Sequence, residues 1–140
     1  MAMMSDEAMA DLLSHTRLIA SVGLVNDPSR PSYEVAKYQQ SQGYKVIPVN
    51  PNEDSVLGHK AVDTVSQIEE PIDVVNVFVH GRSAPAIAQA AVRAGAKALW
   101  LQPGVDSPEA VQTARAAGLT VVSNKCFMRE HQRLLSESPQ

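Results

Sequence analysis

The sequence predicts an α/β domain in three layers: a five-stranded parallel sheet, strand order 3-2-1-4-5, with helices on both faces. Three observations lead there. Short apolar segments alternate with amphipathic ones along the chain. The apolar segments, LIASV and VVNVFV among them, lack in/out alternation, as strands buried on both faces do. Glycine and proline mark the joins, and right-handed crossovers with one reversal of winding then set the order. A length of 140 residues fits a single domain, 1–140.

The elements follow in order. Ser5-Asp6-Glu7 opens a helix within the N-terminal segment 1–16, with acid in its first turn. The first strand covers residues 18–22 and stops at Gly23. A helix over 32–41 starts after Pro31, which suits a first turn, and ends before Gly43, a C-terminal cap. The second strand, 44–49, runs into Asn50-Pro51. Residues 51–60 read as a polar loop, 61–62 as a short extended piece and 64–68 as a short helix. Pro71 precedes the third strand, 73–79. A helix over 83–94 ends at Gly95, and the fourth strand is 97–101. Ser107-Pro108-Glu109 starts a helix that Gly118 ends. The fifth strand is 119–122, the last helix 127–135, and residues 136–140 are expected to fray.

Ligands of such sheets bind beyond the carboxyl ends of the strands, where the winding reverses. The expected reversal lies between the first and fourth strands. Around the first of these, strand, glycine turn and helix N-terminus form a cradle for an anion. Backbone N–H groups at a helix start lack intrahelical partners, and the dipole adds about half a positive charge there. Arg30, Lys60, Arg82 and Lys125 either add charge at this edge or are ordinary solvated loop charges.

Composition narrows the function classes. The longest apolar runs are too short to span a bilayer, and the N-terminus lacks the pattern of a secretion signal. One cysteine excludes an internal disulfide framework and a cysteine-based zinc site, so a cytoplasmic protein is expected. Net charge is −3, with three Tyr, two Phe and one Trp, a poor surface for nucleic acid. The dinucleotide fingerprint G-x-G-x-x-G is absent, as is the lysine-bearing phosphate loop. Asn50 stands where a nicotinamide-dinucleotide fold has its ribose-binding acid.

Gly23, DPSRPSYEVAKY, GYKVIPVNP, Gly58, PIDVV, GAKALWLQPGV, Cys126 and Glu130-His131 occur in an order and spacing that resembles the small CoA-binding family. That family's fold is similar to the nucleotide domain of the succinyl-CoA synthetase alpha subunit. The resemblance implies a Rossmann-like domain that binds coenzyme A. It places the CoA phosphates against Gly23, Leu24, Val25 and Asn26, with Arg30 and Ser32 close by. It places adenosine near Asn50 and Pro51, with Lys60, and the pantetheine beside the loop that carries His80 and Arg82. Many relatives have arginines where this chain has Val79-His80, and a small residue and a serine in the first turn where it has Leu24-Val25-Asn26.

Other residues admit two readings. Cys126 is either a small buried apolar residue, the favoured reading, or a thiol near the CoA sulfur. Glu130-His131 reads as a charged helix face rather than a base. His59 and His80 lack metal-ligand spacing. Trp100 is expected in the core; Gln102 either satisfies loop backbone or meets the ligand. Non-catalytic binding of CoA or acyl-CoA is the first expectation. The alternative is a small NAD(P)- or acyl-CoA-dependent enzyme, and a homo-oligomer or a protein partner is left open.

Overall fold

The structure, a computed structural model, describes residues 4–135. The expectation of fraying at 136–140 lies outside the described residues. Helix α1 (Asp6–His15) is capped by the Ser5 hydroxyl, which accepts from the Ala8 N–H at 3.1 Å. All of β1 (Leu18–Val22) is buried. Helix α2 (Pro31–Ser41) starts on a proline, whose missing N–H is no loss in a first turn. β2 (Lys45–Val49) follows.

Residues 51–60, expected as a polar loop, instead contain an antiparallel hairpin of β3 (Ser55–Val56) and β4 (His59–Lys60). Leu57 (φ 53) and Gly58 (φ 84) form its turn, both left-handed, as a tight hairpin requires. Buried Val56 pins the hairpin to the core, and the Gln40 side-chain amide donates to the Leu57 carbonyl at 3.0 Å. Then come β5 (Val74–Val77), α3 (Ala84–Arg93), β6 (Ala98–Leu101), α4 (Pro108–Ala116), β7 (Thr120–Ser123) and α5 (Phe127–Leu134).

The main sheet is parallel, five-stranded and ordered β2-β1-β5-β6-β7, with helices on both faces. The expected α/β three-layer class is present, but one strand's place is corrected. The strand expected beyond β2 is β5, and it pairs with β1 instead, from Ile19↔Val74 to Val22↔Val77. The place beyond β2 belongs to Val62, which makes a single parallel bridge to Val49. Counting that bridge as the third strand gives the pattern 3-2-1-4-5 with a further strand outside. Residues 61–62 are too short to read as a strand, so the sequence numbering slipped by one. The winding therefore reverses between β1 and β5.

Alternate residues of each strand serve opposite layers. Leu18, Ala20, Val22, Val75 and Leu99 pack with Ala88 of α3 and Ala110 and Ala114 of α4. Ile19, Val74 and Trp100 pack with Met9, Val35 and Phe127 from α1, α2 and α5. The Trp100 indole N–H donates to the Lys125 carbonyl at 2.7 Å, and its ring lies 4.9 Å from that of Phe127. At the amino edge, the Asp73 carboxylate accepts from the N–H groups of Arg17 (2.8 Å) and Leu18 (3.0 Å). Partial burial opposes its charge, but the Leu18 and Arg17 N–H groups and nearby Lys97 outweigh it and hold the carboxyl below its ordinary range. Among the described residues no helix is long and apolar enough to cross a membrane.

Candidate functional site

Gly23 ends β1 with φ +93, and a Cβ there would lie 2.8 Å from Val79 Cγ1. Both the backbone conformation and the close approach call for glycine. The Gly23 N–H donates to the Val49 carbonyl at 3.0 Å, so it is not free. The Leu24 side chain turns into the core. The Val25 N–H reaches Ser32 Oγ only at 3.4 Å, and the Asn26 N–H donates to Glu53 Oε2 at 2.9 Å. The turn is thus partly satisfied from within, and a carboxylate holds one of its amides.

A cleft of about 450 Å³ opens in front of this turn. Gly23, Val25, Arg30 and Ser32 line one side; Phe78, Gln102, Cys126 and Arg129 line the other. The starts of α2 and α5 both border it, through Pro31-Ser32 and Cys126. Two helix dipoles therefore present positive ends to one space. Arg30 and Arg129 add full charges, and neither forms an ion pair among the described residues. Gln102, 3 % exposed, anchors the floor: its amide donates to Asn76 Oδ1 at 2.6 Å and its carbonyl receives the Phe127 N–H at 3.4 Å. An anionic group with an apolar neighbour fits such a wall.

Residues 17–132 match the CoA binding domain family. The chain belongs to this family. It is 38% identical over 127 residues to the uncharacterized protein YneT of Bacillus subtilis (strain 168), covering 91% of this chain and 94% of that one. It is 40% identical over 72 residues to the alpha subunit of the ADP-forming acetate–CoA ligase II of Pyrococcus furiosus, a match over 51% of this chain but 16% of that subunit. Among solved structures, a hypothetical protein from Pyrococcus horikoshii OT3 superposes with a TM-score of 0.93 at 39% identity, covering 95% of this chain and 94% of that one.

Of the residues expected to serve a CoA-binding edge, Gly23, Val25, Arg30 and Ser32 come together in the cleft. Leu24 offers only backbone, and Asn26 is exposed with its N–H occupied by Glu53. Asn50 staples the turn: Nδ2 donates to the Leu24 carbonyl at 3.1 Å while Oδ1 accepts from the Asn52 N–H at 2.9 Å. Pro51 is exposed beside it. Lys60 lies elsewhere, in a groove outside β2 with Lys45, Gln67 and Glu70. His80 and Arg82 are exposed and do not line the cleft. Their loop leans on the opposite side, where a Cβ on Gly81 would collide with the Asp106 carbonyl.

Two residues, Cys126 and His131, read differently in the structure, while Glu130 keeps the charged-face role expected of it. Cys126, favoured as a buried apolar residue, is half-buried at the cleft wall. His131, read as part of a charged face, is buried, and its Nδ1 lies 2.6 Å from the Tyr38 hydroxyl. Glu130 pairs with Arg133 at 2.6 Å. Sequence reasoning missed Phe78, Arg129 and Glu53. The first two carried a signal: Phe78 lies just past the end of β5 and Arg129 in the first turn of α5, both at the carboxyl edge.

Proposed function

We propose that the protein binds coenzyme A or an acyl-CoA without turning it over, with the pyrophosphate in the cleft between the starts of α2 and α5. One observation carries this reading: two helix N-termini and two arginines that have no ion-pair partner among the described residues border a single cleft at the reversal of winding. Family membership supports the choice of CoA over other anions. Gly23, Val25, Arg30 and Ser32 hold the phosphates, and Phe78 and Cys126 flank the pantetheine side. One free cysteine fits a reducing compartment, so we place the protein in the cytoplasm, where it delivers its ligand state to a second copy or another protein.

Calorimetric titration tests this. Saturable heat with CoA, and none with NAD at the same concentration, is the expected result. Absence of heat at millimolar CoA overturns the reading. Release of free thiol from an acyl-CoA by the pure protein would replace it with an enzymatic one.

A further inference from the structure

A nucleotide-binding sheet commonly carries an acid near the end of its second strand, where it accepts hydrogen bonds from ribose hydroxyls. Asn50 occupies the expected position in this chain, but an acid arrives three residues later. Glu53 extends from the segment after β2 back to the turn after β1, where Oε2 accepts from the Asn26 N–H at 2.9 Å. Asn50 fixes both sides of that bridge through the Leu24 carbonyl and the Asn52 N–H. Glu53 is half-buried and forms no ion pair among the described residues. The next residue, Asp54, adds a second acid. Lys60, the one lysine or arginine of the segment, faces the groove outside β2.

We infer that Glu53 reads the ribose of the bound nucleotide and selects an unphosphorylated one. A carboxylate only accepts hydrogen bonds, so it can bind a hydroxyl but has no proton to offer a phosphate. Coenzyme A carries a phosphate on its adenosine ribose; dephospho-CoA and its thioesters have a free hydroxyl there. With the pyrophosphate in the cleft, the ribose lies toward Asn26 and Asn50, within the field of Glu53 and away from any cation of this segment. The inference rests on the CoA-type reading above and, within that ligand class, ranks dephospho-CoA and its thioesters above CoA.

The test is calorimetric titration of CoA and dephospho-CoA into the wild type and Glu53→Gln. Glutamine keeps an acceptor for the Asn26 N–H while removing the charge. The wild type is expected to bind dephospho-CoA roughly fivefold more tightly than CoA, the size of one partly screened like-charge contact. In the variant, CoA binding strengthens and the two ligands come within about twofold of each other. Equal affinities, or a preference for CoA in the wild type, overturn the inference and leave the CoA reading standing. A gap that survives unchanged in Glu53→Gln overturns it too, and shows that Glu53 only caps the turn. Failure of both ligands to bind either protein removes the CoA reading and this inference with it.

Discussion

Arg30 and Arg129 border the same cleft from two different helices, and neither has an ion-pair partner among the described residues. In the proposed complex the diphosphate would supply the missing counter-charge to both. Replacing either with alanine is expected to weaken CoA binding by ~1–3 kcal/mol, as for a lost charge-assisted hydrogen bond. Titration of each variant checks this, and added salt should weaken the wild type more than either variant. Unchanged affinity in one variant removes that arginine from the site. Arg30 was legible in the sequence because it sits within the strand–turn–helix unit. Arg129 was not, because its helix is distant in sequence and only the fold brings it opposite. Glu53 was missed for a similar reason: the ribose acid was sought at Asn50, the strand end itself.

At the scale of the element, α5 does two jobs. Its start borders the cleft, and farther along its inner face His131 is buried beside Tyr38, Tyr44 and Phe127. Burial holds the imidazole below its ordinary value of 6.5. In the neutral form Nδ1 and the Tyr38 hydroxyl share a hydrogen bond at 2.6 Å. The unfolded chain takes up its proton first, so this contribution to stability is complete above about pH 6.5 and is lost as pH falls toward the folded value. Thermal melts are therefore expected to drop between about pH 7.5 and about pH 5.5. The drop should shrink in His131→Gln, and an equal slope in both proteins counts against α5 as its source. The helices were largely legible, since Ser5, Pro31 and Ser107 mark starts and Gly43, Gly95 and Gly118 mark ends. The β3–β4 hairpin was not. Its strands are two residues each, too short for any periodicity, and Leu57 takes a left-handed conformation that leucine seldom signals.

For the whole molecule, alternation of apolar and amphipathic segments was enough to give a parallel sheet between helical layers and to put the site at its carboxyl edge. It was not enough to place every strand. One bridging residue, Val62, decides whether β5 is counted third or fourth, and a single residue leaves no pattern to read. The site survives that slip because both countings put the reversal beside β1. At the opposite edge, Asp73 ties the starts of β1 and β5 together, so the two strands that flank the reversal are fixed from below. The side chain of Trp100, the chain's one tryptophan, extends from β6 toward α5, its indole held by the Lys125 carbonyl and set against Phe127. The protein thus contains a fluorophore one layer beneath the proposed ligand, packed against the segment that carries Cys126 and Arg129. Its emission should report ligand arrival with no added dye. A flat optical trace alongside calorimetric heat would locate the ligand away from α5.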